Sequence, residues 1–336
     1  MLKDLNFLRK EFDLSEFEFK LNPKKNVPFS FVKQLLFLLK NCNKTKIYII
    51  QFAGYNSLLP VIFSKILKKK SVIVLGGTDC VSFPSISYGN FHKKLLGLFT
   101  SLSIKNCDLL LPVDSSLIEY DYNYQKNDFP KQGYKYHCPD ITTKNQVIYN
   151  GFETDKWLFS KNKEENTFVT IVAGLSNFSK IQLKGIDLII QLAYQFPNFK
   201  FYVVGGENLQ QGIPDNIILK PFVPNNELSN FLNSKEFYLQ LSMSEGFPNA
   251  LCEAMLCGCI PIVTAVGAMP KIVSEIGFVL NKKDPILLSE IVQKATGLTK
   301  NDREQLAEKS RDRIKNVYPI IRREKEFINA IYSIYN

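Results

Sequence analysis

The chain has 336 residues, enough for two domains, and its 45% apolar and 22% charged residues form an ordinary globular composition. It contains no run of 18 apolar residues, which argues against a membrane-spanning helix, and its charged N-terminus lacks the apolar core of a secretion signal. Seven scattered cysteines without a Cys-x-x-Cys pair, and only two histidines, argue against a disulfide framework or a zinc site and predict a cytoplasmic protein.

The net charge of +10 is concentrated near the N-terminus, where the first 70 residues include 14 lysines or arginines. Such a stretch attracts the anionic face of a membrane, binds nucleic acid, or forms a solvated lysine-rich surface. No nucleic-acid motif accompanies the charge. We therefore expect peripheral contact with an anionic membrane or a plain solvated surface, and no nucleic-acid partner.

Strands and helices alternate along the first half of the chain. Hydrophobic patterning predicts a helix over 1–12 and then the following elements in chain order: a strand at 17–21, a helix at 29–39, a strand at 46–53, a helix at 56–67, a strand at 71–75, a helix at 91–104 and a strand at 108–113. The polar, Tyr-rich segment 120–144 interrupts this rhythm as a surface excursion before a strand at 146–149.

The alternation resumes after the polar run at 161–166. Predicted strands lie at 168–173, 200–204, 217–220, 237–241 and 260–264, and predicted helices at 186–195, 226–232, 249–256, 285–296, 301–317 and 320–335. This pattern is typical of an α/β protein with two Rossmann-like, doubly wound parallel-sheet domains facing a cleft. We expect a first domain at 1–160, a second domain at 161–318, and a last helix at 319–336 that packs back on the first domain.

The segment 242–270 contains the most informative pattern. Glu245 follows the apolar strand FYLQL, and Gly246, Phe247 and Pro248 form a tight turn into a helix. The unpaired backbone N–H groups at the beginning of that helix can hold a phosphate. Glu253 lies on the same helix, where its carboxylate can accept hydrogen bonds from paired hydroxyls such as those of a ribose. The spacing alone would favour solvated helix acids, but the ordered context favours a ligand site.

This segment resembles the donor-binding signature of the retaining glycosyltransferases of family 4, whose C-terminal part is the glycosyl transferases group 1 domain. In this sequence the signature consists of Glu245, seven residues, Glu253, and a later glycine, Gly267. A looser resemblance extends from about residue 150 to 284 and includes the Lys184-Gly185 pair. The resemblance implies the GT-B fold, with 1–160 as the acceptor-side domain and 161–318 as the donor-binding domain.

The resemblance also implies retaining transfer of a sugar from a UDP- or GDP-sugar to a glycan or lipid-linked acceptor, without a required metal or other cofactor. Glu245 would lie by the donor sugar, Lys184 would bind the diphosphate, Glu253 the ribose, and backbone near Val223 the base. The remaining donor-binding residues would be those of the turn, the beginning of its helix and a second cation: Gly246, Phe247, Pro248, Asn249, Ala250, Gly267 and Lys180. Such an enzyme would act in cell-surface polysaccharide or lipopolysaccharide synthesis, at the inner face of the cell membrane.

Some positions depart from the family pattern. The family pairs its lysine with an upstream arginine, whereas here Lys180 either substitutes for it or is a solvent-exposed loop lysine. Gly77 and Thr78 belong to a predicted cleft loop, in which Asp79 either contacts sugar hydroxyls as a catalytic residue or is a turn aspartate. No glycine precedes Gly54, so we expect the first domain to lack its first strand. The alternative function is a non-catalytic nucleotide-sugar-binding or assembly protein derived from such an enzyme.

Overall fold

The computed structural model describes residues 2–21, 26–126, 128–172, 174–175, 178–206, 209 and 212–335. Its helices are α1 (Leu2–Glu11), α2 (Val27–Asn41), α3 (Tyr55–Ile66), α4 (Lys94–Asn106), α5 (Tyr134–His137), α6 (Phe178–Leu183), α7 (Ile186–Gln195), α8 (Asn225–Asn233), α9 (Asn249–Leu256), α10 (Met269–Val273), α11 (Pro285–Thr296), α12 (Lys300–Val317) and α13 (Ile320–Tyr335). Its strands are β1 (Ile47–Gln51), β2 (Lys70–Leu75), β3 (Leu109–Pro112), β4 (Tyr120–Asp121), β5 (Lys131–Gln132), β6 (Glu164–Ile171), β7 (Lys200–Val204), β8 (Ile217–Lys220), β9 (Lys235–Gln240), β10 (Ile260–Thr264) and β11 (Phe278–Leu280).

The C-terminal half is built on a six-stranded parallel sheet in the order β11-β10-β9-β6-β7-β8. Its central strands are buried on both faces, as near-continuous apolar segments between helices predict. The chain order reverses between β6 and β9, which are neighbours in the sheet but far apart in sequence. Ligands of such folds bind beyond the carboxyl ends of the strands, at this reversal point.

The N-terminal half contains a three-stranded parallel sheet in the order β1-β2-β3. The predicted strand at 146–149 forms no regular strand, but it runs along β3 through backbone hydrogen bonds from Gln146 to Leu110 and from Ile148 to Pro112. The excursion at 120–144 contains the short antiparallel pair β4–β5 and helix α5. The fold class is therefore α/β with two parallel sheets, as the sequence predicts.

The first and last helices lie against each other, although they are at opposite ends of the chain. Asp4 on α1 accepts hydrogen bonds of 2.7 and 2.9 Å from the Arg323 guanidinium on α13, and both side chains are about 95% buried. The same guanidinium donates to the carbonyls of Ile148 and Tyr149. This ion pair joins α1, α13 and the connection between the two halves.

The strand predicted at 17–21 is wrong. This segment has no regular secondary structure and no strand partner among the described residues, because its aromatic side chains pack on α2: Phe17 packs against Phe37 and Phe19 against Phe31, with ring centroids 5.2 Å apart in each pair. The last residue of the strand predicted at 168–173 lies outside the described residues. No helix in the described part of the chain is long and apolar enough to cross a membrane.

Candidate functional site

The candidate site lies where β9 ends and α9 begins, at the carboxyl end of the larger sheet. After β9 the chain turns through Ser242 to Pro248, and Pro248 precedes the first residue of α9 with an extended conformation. The Thr264 hydroxyl at the end of β10 donates to the Ser242 carbonyl at 2.7 Å and thereby fixes the beginning of this turn. Glu245 is at the centre of the turn and faces the N-terminal half.

Glu245 and Lys184 form an ion pair in this turn. The Nζ of Lys184 lies 2.6 Å from Oε1 of Glu245, and the two side chains are only 28% and 15% exposed. Gln240 and Ser242 donate to the same carboxylate oxygen at 3.0 and 2.8 Å. Burial favours the neutral amine, but the charge and hydrogen bond of Glu245 outweigh it and raise the pKa of Lys184. The pair therefore presents a charged ammonium at neutral pH.

Gly185 determines how Lys184 reaches Glu245. Its φ is +68°, and a Cβ at this position would lie 2.1 Å from the Leu241 carbonyl oxygen at the end of β9. The backbone N–H of Met243 also donates to the Leu183 carbonyl at 2.8 Å, which holds the chain after β9 against the chain before α7. Glycine is required here by conformation and by space, which gives the Lys-Gly pair of the sequence a physical reason.

Glu253 projects from the second turn of α9 and is 13% exposed. Its carboxylate lies 3.5 Å from the Nζ of Lys3, which comes from α1 and also sits 4.8 Å from the centre of the Phe152 ring. Burial raises the pKa of Glu253, and Lys3 opposes that rise. The sequence analysis missed Lys3, because no local pattern relates residue 3 to residue 253.

The beginning of α9 is fixed by aromatic packing. Phe247 is buried and lies 6.4 Å from the Phe152 ring in a stacked arrangement and 5.2 Å from Tyr318 edge-on. Asn150 donates to the side-chain oxygen of Asn249 at 3.0 Å. Phe247 is thus a packing residue that orients the first turn of α9, whereas Asn249 is exposed and Ala250 half-buried at that turn.

Glycines bring the two halves of the molecule into contact at the site. A Cβ on Gly246 would lie 2.1 Å from the Gly76 carbonyl oxygen, and a Cβ on Gly77 would lie 3.2 Å from the Gly246 nitrogen. On the other side of the turn Gly267 has a φ of +58° and its Cβ would lie 1.9 Å from the Glu245 carbonyl oxygen. The loop after β2 therefore touches the turn that contains Glu245.

Asp79 organises that loop. Its carboxylate is buried and accepts three backbone N–H bonds, from Ala53 at 3.0 Å, Gly76 at 3.1 Å and Gly77 at 2.9 Å. Burial raises its pKa, and these N–H groups oppose the rise. This geometry is that of a turn aspartate, the second of the two interpretations given above. Direct contact of Asp79 with a sugar stays a prediction.

Tyr88 of the N-terminal half lies close to the ion pair, and Thr78 is hydrogen-bonded to it. Thr78 is exposed, and its hydroxyl shares a hydrogen bond of 2.8 Å with that of Tyr88. Burial raises the pKa of Tyr88, the hydrogen bond with Thr78 opposes the rise, and the nearby charges of Glu245 and Lys184 also act on it. The sequence analysis assigned no role to the Tyr88 hydroxyl.

The two remaining predicted residues lie on separate elements. Lys180 is on α6 with an exposed side chain, and its carbonyl accepts the backbone N–H of Lys184 at 3.0 Å. Val223 follows β8 and is half-buried against the core. The structure thus brings Lys184, Glu245, Thr78 and Tyr88 together, and places Glu253 with Lys3 on the adjoining helix.

One segment of the chain matches a known protein family. Residues 153–313, just under half of the chain, match the family Glycosyl transferases group 1. The segment includes Lys184, Glu245 and Glu253. A relative from Arabidopsis thaliana, a subunit of phosphatidylinositol N-acetylglucosaminyltransferase, is 25% identical over 166 residues, which are 45% of this chain. The match spans only 36% of that relative, about a third of its length.

Solved GT-B structures share the fold over most of the chain. Sucrose-phosphate synthase from Thermosynechococcus elongatus aligns with a TM-score of 0.71 at 13% identity, covering 96% of this chain and 83% of the other. HepE from Anabaena in complex with UDP-glucose aligns with a TM-score of 0.64 at 15% identity, covering 90% and 84%. TarM aligns with a TM-score of 0.65 at 13% identity, covering 89% and 58%. The fold is GT-B, and together with the family segment it supports a glycosyltransferase.

Proposed function

We propose that this chain is a retaining glycosyltransferase of family 4 that moves a sugar from a UDP- or GDP-sugar to a glycan or lipid-linked acceptor. The observation that carries the proposal is the partly buried pair of Lys184 and Glu245, with Glu253 on the helix that begins four residues after Glu245. These side chains surround one turn that faces the N-terminal half. A diphosphate, a ribose and a sugar each meet a suitable group there.

The donor diphosphate lies against Lys184 and the first turn of α9. The leaving nucleoside diphosphate gains charge as the glycosidic bond breaks, and a partly buried ammonium lowers the energy of that charge without a metal ion. The unpaired backbone N–H groups at the beginning of α9 add partial positive charge on the same side. Lys180 on the preceding helix supplies a second cation. Glu253 accepts hydrogen bonds from the ribose hydroxyls, and backbone near Val223 contacts the base.

Glu245 positions the donor sugar. Its carboxylate is already oriented by Gln240, Ser242 and Lys184, so it can accept sugar hydroxyls without a large loss of side-chain entropy. The hydroxyls of Thr78 and Tyr88 face it from the other half of the cleft. No covalent sugar intermediate on the enzyme is part of the proposal, and the leaving phosphate takes the acceptor proton.

The acceptor binds on the side of the N-terminal half. A cavity of about 2400 Å³, lined mainly by apolar side chains, lies between α1, α2 and β1 and reaches Thr78 and Asp79. An apolar space beside the proposed reacting centre fits a lipid-linked acceptor, which supports surface polysaccharide or lipopolysaccharide synthesis at the cytoplasmic membrane face.

Donor binding and turnover test the proposal. UDP, GDP and their sugars are added separately, and a nucleotide that binds the folded state raises the melting temperature. Release of the nucleotide on sugar transfer is then measured, with EDTA present to test the absence of a metal requirement. We expect Glu245→Gln to lower turnover by about 100-fold, whereas Glu290→Gln, an exposed acid on α11, leaves it unchanged.

Two results would contradict this function. Failure of every nucleotide to raise the melting temperature removes the donor site. The second result is that the chain binds a nucleotide, and Glu245→Gln weakens that binding, but no acceptor gives turnover. This result favours a non-catalytic nucleotide-sugar-binding protein instead.

A further inference from the structure

Helix α2 exposes an apolar stripe although it also buries polar residues. Its inward face includes two polar residues, Ser30 and Gln34, which are buried and donate to the carbonyls of Lys20 and Asn56. Its outward face is apolar. Phe29, Val32, Leu35, Leu36 and Leu39 are between 38% and 65% exposed. Four of them follow the 3-4-3 spacing of one helical stripe.

The two following helices continue this exposed apolar surface. On α3, Ile62 and Ile66 are 40% and 72% exposed, and on α4, Leu95, Leu98 and Leu102 are 57%, 52% and 40% exposed. The last three residues again recur at the spacing of one helical face. Scattered exposed apolar residues are normal on a protein surface, but a stripe on each of three successive helices marks an interaction surface.

The three helices pack side by side. The rings of Phe31 on α2, Tyr55 on α3 and Phe99 on α4 contact one another edge-on, with centroids 5.3 to 6.3 Å apart. These half-buried contacts hold the three helices side by side, with α3 between α2 and α4 and packed against β1 and β2. We call the exposed outer side of this layer the three-helix face, formed by the apolar residues Phe29, Val32, Leu35, Leu36, Leu39, Ile62, Ile66, Leu95, Leu98 and Leu102.

The charge of the molecule is concentrated in the same part of the chain. Residues 19–107 contain 14 lysines, no arginine and a single acid, the buried Asp79. The other 247 residues contain 28 basic and 31 acidic residues, so the whole net positive charge of +10 comes from this stretch. Helices α2, α3 and α4 contain no acid, and their lysines are all exposed: Lys33, Lys40, Lys65, Lys94 and Lys105.

We propose that the three-helix face is a docking surface for an anionic lipid bilayer, with the aliphatic side chains in the headgroup–acyl boundary and the lysines at the phosphates. Apolar stripes between lysines are the pattern of helices that lie in the plane of a membrane interface. The Nζ of Lys33 lies 4.9 Å from the Phe29 ring, so this lysine already extends over the apolar surface. A second copy of the chain fits poorly, because its face has the same positive charge.

The docked face lies next to the candidate site. Helix α3 begins at Tyr55, two residues after Ala53, whose backbone N–H is bound by Asp79 in the cleft loop. A lipid-linked acceptor in the bilayer would therefore meet the cleft from this side. In this respect the inference rests on the proposed function, although vesicle binding itself requires neither donor nor turnover.

Vesicle co-sedimentation of the full chain tests the proposal. We expect binding to phosphatidylcholine vesicles that contain phosphatidylglycerol, weak binding to phosphatidylcholine alone, and weaker binding as salt rises. The double variant Lys33→Gln/Lys40→Gln should lower the partition coefficient roughly 25-fold, because each lysine at an anionic surface contributes about fivefold. The triple variant Phe29→Ser/Leu36→Ser/Leu39→Ser should lower it by about tenfold or more.

Matched variants away from the face serve as controls. Lys294→Gln/Lys315→Gln removes two exposed lysines, and Leu158→Ser/Ile286→Ser/Ile321→Ser removes three exposed apolar residues, from the C-terminal half and the last helix. Nucleotide-induced melting shifts measured on every variant report folding and the donor site separately. Equal binding to both vesicle types, no binding, or equal losses in face and control variants would each overturn the proposal. So would a dimer in solution that the triple variant dissociates while vesicle binding is unaltered.

Discussion

At the scale of single residues, the site depends on carboxylates whose partners come from distant parts of the chain. Glu253 is held by Lys3 across 250 positions of sequence, and Glu245 by Lys184 across 61. A buried carboxylate remains ionised only if a cation or hydrogen-bond donors compensate for lost hydration. The chemistry of Glu253 is therefore sensitive to a residue on another element.

The first prediction concerns Lys3→Met. Without the ammonium the pKa of Glu253 rises further, so the carboxylate is protonated at a higher pH and accepts fewer hydrogen bonds from ribose. We expect nucleotide affinity to fall about fivefold, the effect of about 1 kcal/mol for a partly exposed pair. The acid limb of a plot of nucleotide Kd against pH should move to higher pH.

The control for Lys3 is Lys10→Met, which removes an exposed lysine from the same helix. The other titratable groups close to Glu253 are Cys252 on α9 and Tyr238 on β9. Burial raises the pKa of each well above its usual value, so both stay neutral and contribute no competing limb. An unmoved acid limb in Lys3→Met would show that Lys3 does not act through Glu253.

At the scale of elements, the end of β9 and the beginning of α7 determine the site through close backbone approaches. Strand β9 delivers Gln240, Ser242 and Glu245, and the chain before α7 delivers Lys184. Gly185 allows the two elements to meet with almost no space between them. The position of Lys184 thus depends on a residue without a side chain.

The second prediction tests this contact with Gly185→Ala. The left-handed conformation costs a residue with a Cβ about 1–2 kcal/mol, and the clash with the Leu241 carbonyl adds to this cost. We expect a lower free energy of unfolding in urea and weaker nucleotide binding. The control is Gly174→Ala, because Gly174 has a φ of +65° but no atom within 4 Å of a Cβ. If both variants lose the same free energy of unfolding, the left-handed backbone conformation explains the whole loss and the contact with Leu241 contributes nothing.

At the scale of the whole molecule, the chain is closed by its two terminal helices. Phe7 on α1 packs edge-on against Phe327 on α13 at 5.7 Å, beside the buried pair of Asp4 and Arg323. That guanidinium also binds carbonyls of the connection between the two halves. We therefore expect the pair to couple the stability of the N-terminal half to that of the rest.

The third prediction concerns acid stability and Asp4→Asn. Burial raises the pKa of Asp4, but the hydrogen bonds and charge of Arg323 outweigh it and leave that pKa lowered. The pair therefore stabilises the folded state above the unfolded pKa of about 3.9, and this stability is lost as pH falls through the lower folded pKa.

Because Asp4→Asn leaves the buried guanidinium without its counter-charge, we expect a loss of about 3–5 kcal/mol at neutral pH. The measurement is urea unfolding at neutral pH and at about pH 3, below the unfolded pKa of an aspartate, with Asp13→Asn, an exposed acid just after α1, as the control. The free energy of unfolding of Asp4→Asn should also fall less in acid than that of the wild type. If the free energy of unfolding of the wild type and of Asp4→Asn falls equally in acid, other carboxylates cause that fall.

The sequence by itself determined the alternation of strands and helices, the parallel sheets and the turn from Glu245 into the helix that contains Glu253. These features depend on local periodicity, turn residues and a long ordered motif, which remain visible in one dimension. The tertiary structure alone decided that Lys3 meets Glu253, that Tyr88 lies close to the ion pair and that the Ala53 N–H binds Asp79. It also decided that the segment 17–21 packs on α2 without a strand partner, and that the apolar side of α2 is uncovered. Periodicity shows which face of an element is apolar, but which group covers that face, or approaches it from a distant part of the chain, depends on how the elements pack.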